Sequence, residues 1–315
     1  METQKINATR EQRVEQALFR GGSLTLDNPR YRHAVGTFVE GLLHDDLAPR
    51  DLTAEALGIK DNRASAVVLA RESGVAAGLA ELAFMLQAYG VDVAFDKQDG
   101  NAIRSGDVLL RAEGKQTQLL ALERVGLNLV QRMSGIATAI RCLQARIQAR
   151  SFTTRIVGTR KTPWGLLDKR ALHLGNGGTH RLGLGDAIVI KNNHLALLAA
   201  REEEAAPLAI EKAWPFRHYS AFIEVEVRGE DAARAAGAPF VGFWLEAPLA
   251  ELEHRIIARS GDASDATLAV LRRASAAVPG APTWFAIDAR EVTQALDAVR
   301  HHVAAAAEAG PKRRI

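Results

Sequence analysis

Apolar residues recur along the chain at two different spacings, and the change between them organises the sequence. In "REQRVEQALF" and "YRHAVGTFVEGLLHDDL" they recur every three or four positions, which predicts amphipathic helices. The segment "ASAVVLARESGVAAG" predicts a strand followed by a turn, and "LAELAFMLQAYG" predicts a helix. Asp-Gly and Ser-Gly turns divide "VDVAFDKQDGNAIRSGDVLLRAEG" into short strands. The first third of the chain therefore predicts a small sheet packed against helices.

A long helical pattern then runs from residue 117 to residue 149. Ser134 and Gly135 predict a break or kink near its middle. Arg124 and Asn128 lie four positions apart and therefore share one helix face, among apolar neighbours. Arg124 either reaches towards a ligand or, in the alternative, extends its charge to solvent or pairs with Glu123.

Beyond residue 150, short apolar runs alternate with helical patterns, which predicts parallel strands in an α/β barrel or a doubly wound α/β sheet. Ligands of such folds bind at the carboxyl ends of the strands. Arg160 and Lys161 follow one predicted strand, "TTRIVG", and Lys191 ends the next, "DAIVIK". Glu224 and Glu226 lie in the following strand, "IEVEV". The pattern thus places cations and carboxylates at strand ends.

Composition narrows the function classes. The 40 Lys and Arg residues of this 315-residue chain face 37 Asp and Glu residues, so the net charge of +3 gives no support for a nucleic-acid partner. The single cysteine, Cys142, excludes an internal disulfide and multi-cysteine metal sites. No apolar run approaches the length of a membrane span, and the N-terminus has no apolar signal region. We therefore expect a cytoplasmic protein that binds neither membranes nor nucleic acid.

One segment, from Val157 to Leu195, concentrates cations and glycines. It holds six Lys or Arg, three His and seven Gly, with two Asp and no Glu. This bias predicts a compact pocket for a small, multiply anionic ligand, in which glycines let main-chain N–H groups come close. Two of its histidines, His173 and His180, lack a second ligand pair at zinc spacing, and its glycines do not have the dinucleotide-binding spacing.

Several motifs in register resemble one family. The strings "LLALERVGLNLVQRMSGIATAI", "TRKT", "GGTHRLGLGDAIVIKNNH" and "IEVEV", together with "DLTAEAL", resemble quinolinate phosphoribosyltransferase, the carboxylating nicotinate-nucleotide pyrophosphorylase, over about residues 15–228. The resemblance implies an α/β fold with an open N-terminal α/β domain, 1–116, and an incomplete α/β barrel of the type II phosphoribosyltransferase kind, 117–228. It also implies a homodimer or higher homo-oligomer.

The implied reaction joins quinolinate to phosphoribosyl pyrophosphate with Mg²⁺ and gives nicotinate mononucleotide, CO₂ and pyrophosphate for NAD biosynthesis. In the resemblance, Arg124 reaches into the neighbouring subunit's site, and Glu226 and Glu246 contact the ribose hydroxyls and Mg²⁺. The implied catalytic residues are Lys161, Glu226 and Glu246. The alternative for Lys169, on its predicted helix, is a solvated side chain. The implied substrate-binding residues are Arg124, Arg160, Lys161, Lys169, His180, Arg181, Lys191 and His194.

The chain departs from the family in several places. "TPWGLL" stands where the family has "TTPGLR", so an arginine is lost. The "LEA" of "WLEA" stands where the family has "LDN". From Gly229 onward the family's phosphate-binding loops are missing, and residues 229–315 resemble the tail of small P-loop kinases. No P-loop sequence is present, which makes kinase activity improbable. The lid arginines of the kinase resemblance are Arg255, Arg259 and Arg272.

Two explanations of this tail stay open. Its predicted strands, "FVGFWLEA" and "TWFAIDA", either complete the barrel by a substituted route, or the chain joins a truncated transferase to a kinase fragment. If the tail packs poorly, Phe240, Phe243 and Trp244 are left exposed. The sequence therefore favours a transferase and keeps a second hypothesis, a catalytically impaired protein that binds a pyridine carboxylate or phosphate.

Overall fold

The computed structural model describes residues 10–47, 50–152, 154–237, 243–258, 267–276 and 285–308. The chain divides into two compact units, Met1–Val189 with Ala213–Glu224, and Ile190–Lys212 with Val225–Ile315. The predicted domain boundaries after residues 116 and 228 stay predictions. Among the described residues, no helix is both long enough and apolar enough to cross a membrane. Arg259 and Phe240, which the sequence singled out, lie outside the described residues.

The first unit contains the mixed helices and strands predicted for the first third of the chain. Asp51 caps one of these helices, since its side chain accepts a hydrogen bond from the Ala54 N–H at 2.9 Å. The elements are α1 (Arg10–Leu18), a 3₁₀ turn (Gly21–Ser23), α2 (Pro29–Leu47), α3 (Leu52–Ala56), β1 (Arg63–Leu69), β2 (Gly74–Val75), α4 (Leu79–Ala88), β3 (Asp92–Phe95), β4 (Ala102–Ile103), β5 (Val108–Lys115), α5 (Gln116–Gln148) and α6 (Leu166–Leu174).

These strands form two antiparallel sheets. The larger sheet has the order β1-β5-β3, with Val67 opposite Arg111 and a register shift between Val68 and Leu69, and β2 pairs with β4. One hydrophobic core joins the larger sheet to the helices. Leu110 of β5 and Leu129 of α5 are fully buried in it. Burial of side chains of this size contributes about 1.5–3 kcal/mol each, so this core holds the unit together.

The long helix α5 runs without interruption through Ser134 and Gly135, so the predicted break is wrong. The Ser134 hydroxyl lies 3.0 Å from the Ala77 N–H and 3.1 Å from the Ala77 carbonyl oxygen. The hydroxyl therefore ties the helix to the segment before α4 and leaves the helical backbone intact. An added Cβ at Gly135 would meet nothing within 4 Å, so this glycine reflects no packing requirement.

The remaining strands are short and lie in separate sheets. They confirm an α/β fold, although the described part of "TTRIVG", residues 154–158, forms a single parallel bridge, from Val157 to Gly178, and not the predicted strand. The strand β6 pairs with β7, and β8 pairs with β9 in parallel. The elements are β6 (Ile188–Ile190), α7 (Asn192–Leu195), α8 (Glu202–Ala213), a 3₁₀ turn (Trp214–His218), β7 (Ile223–Val225), α9 (Glu230–Ala235), β8 (Phe243–Glu246), α10 (Leu249–Ile257), α11 (Leu268–Ala276), β9 (Phe285–Asp288) and α12 (Val292–Glu308).

The described part of the C-terminal tail is an α/β arrangement in its own right. Phe243 opposes Phe285 across the β8–β9 pair, and the Phe285 ring stacks on His302 of α12 with centroids 3.9 Å apart. Phe243, which we expected to be exposed if the tail packed poorly, is half-buried. The tail therefore supplies the strand and helix alternation that either explanation of its origin requires.

Candidate active site

Lys169 is the most deeply buried cation among the described residues of the first unit. It lies on α6, is only 2% exposed, and donates from Nζ to the carbonyl oxygen of Thr179. Burial, reinforced by the nearby charges of Arg160 and Arg181 and opposed by Asp186, lowers the pKa of Lys169 from 10.5 to about 8. The solvated reading of this residue is therefore wrong. A buried ammonium beside two guanidinium groups would be stabilised by a bound anion.

Arg160 and Arg181 lie close enough to influence each other. Burial and the charge of Arg160 lower the pKa of Arg181, and Glu224 opposes this shift. Arg181 is 9% exposed and donates from Nη1 to the carbonyl oxygen of Ala187 at 3.1 Å, whereas Arg160 is exposed. Arg160, Lys169 and Arg181, which the sequence placed in three separate motifs, therefore meet in one cationic cluster.

His180 borders this cluster in a restrained conformation. Its backbone has a φ of 54°, in the left-handed region that a side chain other than glycine seldom adopts. The ring Nε2 lies 2.9 Å from the Glu224 carboxylate, and the ring packs edge-on against Phe222 with centroids 4.7 Å apart. The His180 N–H donates to the Leu18 carbonyl oxygen at 2.9 Å. One backbone contact and two ring contacts therefore hold His180 beside Arg181.

The glycines of "GNGG" have a different role from the predicted one. Their N–H groups are used within the protein, since those of Gly175, Gly177 and Gly178 donate to carbonyl oxygens of residues 171, 172 and 156. A Cβ at Gly175 would lie 2.5 Å from the Ala137 carbonyl oxygen, and one at Gly178 would lie 2.4 Å from a Val157 methyl group. These glycines therefore permit close packing against α5 and the 156–158 segment, and the predicted main-chain anion cradle is wrong for them.

Lys161 and Arg124 lie on the surface. The Lys161 backbone N–H donates to the Thr159 hydroxyl at 3.0 Å, and its side chain is exposed beside the cluster residue Arg160. Arg124 is exposed on α5, and within the described residues it pairs with neither Glu123 nor another carboxylate. Both side chains are therefore accessible to a ligand or to another subunit.

The second unit holds a separate pair of predicted residues. Lys191 follows β6 directly, Glu226 follows β7 directly, and Lys191 Nζ lies 2.8 Å from the Glu226 carboxylate. His194 Nδ1 accepts a hydrogen bond from the Lys191 N–H at 2.9 Å, so the imidazole is held in the first turn of α7. Glu246, the last residue of β8, is exposed and lies opposite Asp288 of β9 in the strand register. The prediction that Lys191 stands at the end of a strand is confirmed, whereas Glu226, predicted within the strand "IEVEV", directly follows β7.

Sequence reasoning missed an ion pair that anchors α6. Arg132 of α5 binds the Asp168 carboxylate with two nitrogens, at 2.9 and 2.8 Å, and its guanidinium lies 4.9 Å from the centre of the Trp164 ring. The Thr162 hydroxyl also contacts Asp168. Trp164, in the "TPWGLL" departure, packs on Phe38 of α2 with ring centroids 4.9 Å apart. The signal was available, because Asp168 directly precedes Lys169 and Arg132 follows Asn128 by one helical turn.

This anchoring gives the departure from the family pattern a physical role. The tryptophan packs against a tilted aromatic ring and against a guanidinium, and both contacts stabilise its position. It therefore fixes the loop between the Arg160–Lys161 motif and α6, although it does not replace the lost arginine.

No group of three or more His, Cys, Asp or Glu side chains suited to a metal ion occurs among the described residues. Mg²⁺ usually keeps several water ligands and needs only one or two carboxylates in addition to substrate phosphates. Glu226 and Glu246 are exposed carboxylates, which suit a Mg²⁺ site completed by water and substrate phosphates.

Comparison with known proteins identifies the family of the chain. Residues 51–134 match the model of the quinolinate phosphoribosyl transferase N-terminal domain, and residues 136–241 match that of the C-terminal domain. A probable carboxylating nicotinate-nucleotide pyrophosphorylase of Methanothermobacter thermautotrophicus is 35% identical over 203 residues, which span 64% of this chain and 71% of the relative. One from Bacillus subtilis is 36% identical over 210 residues, 63% of this chain and 68% of the relative.

Solved structures show the same relationship. A NadC deletion mutant in a cubic crystal form is similar with a TM-score of 0.57 and 30% identity, over 74% of this chain and 80% of that chain. NadC from Streptococcus pyogenes is similar with a TM-score of 0.56 and 27% identity, over 81% and 91%. The shared motifs, the two matched domains and these relatives establish that the chain belongs to the quinolinate phosphoribosyltransferase family.

Proposed function

We propose that this protein is a phosphoribosyltransferase that joins quinolinate to phosphoribosyl pyrophosphate and releases nicotinate mononucleotide, CO₂ and pyrophosphate in NAD biosynthesis. Family membership and the names of the relatives support this function. It makes the chain a carboxylating nicotinate-nucleotide pyrophosphorylase. The lone cysteine and the metabolic role support a cytoplasmic location.

The observation that carries the proposal is the cationic cluster. Arg160, Lys169 and Arg181 repel one another, while Asp186 opposes this effect at Lys169 and Glu224 opposes it at Arg181. Like charges held together at the expense of stability are typical of binding sites, where a ligand of opposite charge supplies the missing compensation. A dianion such as quinolinate meets this need.

Quinolinate has two carboxylates on one planar ring, and the two arginines suit them. A guanidinium can donate two parallel hydrogen bonds to one carboxylate, which fixes both position and orientation. In the proposal, Arg160 and Arg181 hold these carboxylates, and Lys169 adds a third positive charge. His180 and Lys161 line the same pocket. The ring nitrogen is thereby directed towards the anomeric carbon of the co-substrate.

Transfer forms a bond from the pyridine nitrogen to C1′ of the ribose and breaks the bond from C1′ to the diphosphate oxygen. Positive charge grows on the ribose as the bond breaks, and carboxylates nearby stabilise it. We assign this role to Glu226 and, second, to Glu246, while Lys191, His194 and Lys161 bind phosphate oxygens. Loss of the 2-carboxylate as CO₂ then leaves an electron pair beside the positive ring nitrogen, and a proton takes its place.

We propose Mg²⁺ as the cofactor, held by Glu226 and Glu246 together with the diphosphate of the co-substrate. When bound, the ion would neutralise negative charge on the leaving diphosphate. The chain's own contribution is to position the reactants, because oriented reactants remove much of the entropic part of the barrier.

We also propose a homodimer in which Arg124 serves the site of the partner. Arg124 is exposed, and the same helix borders an apolar groove of about 580 Å³ between β1 and α5. Val67 and Leu120 at this groove are exposed although they are large and apolar. Apolar surface of this kind is typical of subunit interfaces.

The second candidate is a catalytically impaired protein that binds a pyridine carboxylate or phosphate. One observation favours it: the sequence after Gly229 lacks the phosphate-binding loops of the family. Pyrophosphate release with quinolinate, phosphoribosyl pyrophosphate and Mg²⁺ distinguishes the two. Turnover supports the transferase, whereas tight binding of quinolinate in calorimetry without pyrophosphate release supports the impaired protein.

A further inference from the structure

A short segment that precedes the family-matched residues lies against the cationic cluster. Leu18 is the last residue of α1, and Phe19 and Arg20 follow it, whereas the matched residues begin at 51. We call Leu18–Arg20 the N-terminal clip. It contacts the motif that contains Thr179 and His180, so a part of the chain remote in sequence from the site touches its centre.

The clip holds the backbone on which two site residues depend. The Leu18 carbonyl oxygen accepts from the His180 N–H at 2.9 Å, and the Arg20 N–H donates to the Thr179 hydroxyl at 3.1 Å. Thr179 is fully buried, and its carbonyl oxygen is the acceptor for Lys169 Nζ. The clip therefore fixes both the backbone of His180 and the carbonyl group that orients the Lys169 ammonium.

The clip also engages the acid that faces Lys169. Arg20 Nη2 lies 2.9 Å from Asp186 Oδ1, and the Leu182 N–H donates to Asp186 Oδ2 at 2.8 Å. Both carboxylate oxygens of Asp186 thus have partners other than Lys169. The Asp186 side chain is 12% exposed, so little solvent screens its charge.

We propose that Arg20 is a positioning residue of this site, which holds the Asp186 carboxylate in its own ion pair and so leaves Lys169 available to the anionic substrate. This inference rests on the proposed function, because it takes Lys169 to be a substrate-binding group. Without Arg20, the Asp186 charge is uncompensated and competes with the substrate carboxylate for the same cations. The charged groups that face Lys169 are Arg160, Arg181 and Asp186, and Glu224 faces Arg181.

The test compares Arg20→Gln, Asp186→Asn and the double variant with the unmodified protein. The first readout is the titration of Lys169 in the ligand-free protein, followed by NMR of labelled lysine side chains. For Arg20→Gln we expect a midpoint higher by about one pH unit, because an unpaired carboxylate favours the charged ammonium. In the Asp186→Asn background, the same change at Arg20 is expected to have no effect on the midpoint.

The second readout is the kinetics with quinolinate. Arg20→Gln is expected to raise KM roughly three- to five-fold, the range for a partly exposed ion pair, while kcat stays nearly constant. Arg155→Gln is the matched control, because Arg155 holds the same segment through Glu15 at 3.3 Å and the Phe19 ring at 4.2 Å. Arg155 does not pair with Asp186, so this control should leave the Lys169 midpoint unchanged.

An unchanged midpoint in Arg20→Gln, or an equal shift in the Asp186→Asn background, overturns the inference. If Arg20→Gln does not fold, Asp186→Asn alone decides. A lower Lys169 midpoint supports the inference and an unchanged one overturns it. The titration requires no turnover, so a protein without transferase activity would contradict the proposed function while the titration still decides the role of Arg20.

Discussion

The cationic cluster of the first unit and the C-terminal tail both contain several arginines, but the arginines of the two regions have different partners. In the tail, Arg255 binds Glu251 at 2.8 Å and the carbonyl oxygens of Ala289 and Arg290 at 3.0 and 2.8 Å. Arg272 binds Glu253 at 2.8 Å. In the cluster, Arg160 and Arg181 face each other and Lys169 instead.

This difference separates structural cations from binding cations. A guanidinium with a carboxylate at hydrogen-bond distance is already compensated, and at an exposed position the pair contributes about 0–1 kcal/mol. Cations that repel one another store electrostatic free energy that only a bound anion releases. Arg255 and Arg272, the described lid arginines of the kinase resemblance, are therefore structural cations. The arginines and the lysine of the cluster are binding cations.

The largest expected effect comes from removing a cluster arginine and a tail arginine in parallel. Arg181→Ala is expected to lower kcat/KM for quinolinate by a factor on the order of 100–1000, because a charged, oriented contact to the substrate is lost. Arg272→Ala should change kcat/KM by less than about two-fold and the free energy of unfolding by less than about 1 kcal/mol. Equal losses in the two variants would remove the distinction between the regions.

Arg124 extends the comparison to a second subunit. Arg124→Ala and Arg160→Ala should each be inactive alone, since each lacks one arginine in every site. Mixed and reassembled, half of the dimers carry both changes and have one intact site, so about a quarter of the unmodified activity is expected to return. Arg255→Ala mixed with Arg160→Ala is the control. Absence of recovery with Arg124→Ala would exclude its role in the partner's site.

Arg160→Lys tests whether geometry matters as well as charge. The substitution keeps the positive charge but loses the planar fork, so we expect substrate binding to weaken by about 1–3 kcal/mol. Calorimetric titration with quinolinate measures this change. An unchanged dissociation constant would show that Arg160 contributes only its charge.

The pH dependence of binding is the smallest effect and the sharpest test of Lys169. Its pKa of about 8 in the free protein means that the ammonium is lost as pH rises through 8, so quinolinate affinity should fall by about ten-fold per pH unit above that value. Binding of the dianion raises this pKa, so protons are taken up. Calorimetry at pH 8.5 in two buffers of different ionisation enthalpy measures that uptake, and in Lys169→Arg it should disappear.

The contribution of Lys169 to protein stability should rise with pH, whereas its contribution to quinolinate affinity should fall. The pKa of Lys169 is about 8 in the folded state, and its ordinary value is 10.5. Between these values the unfolded chain binds more protons than the folded protein, so this group's contribution to the free energy of unfolding rises with pH. Denaturant unfolding at pH 7.5 and 9.5, compared between the unmodified protein and Lys169→Met, isolates that contribution. A larger rise in Lys169→Met would contradict the assignment.

The elements whose pattern is local were predictable from the sequence. The helix α5 and the strands around the Asp-Gly and Ser-Gly turns follow from the spacing of apolar residues and turn residues, which depends on near neighbours. The prediction of a strand at "TTRIVG" was wrong, because within its described residues, 154–158, Val157 alone forms a bridge, to Gly178, and a strand needs a longer run of paired residues. The break at Ser134 failed, because the hydroxyl bonds to Ala77, which is distant in sequence.

By itself the sequence determined which charged groups the protein has, their order along the chain and their positions after strands and on helices. Only the tertiary structure decided that Lys169 faces the interior. Leu167, Asp168 and Lys169 are consecutive on α6 and all buried, which occurs when a helix is covered on several sides and which no periodic pattern indicates. It also decided that the glycines serve packing and that Arg20 meets Asp186, because burial and electrostatic coupling depend on distances between residues that the chain order leaves free.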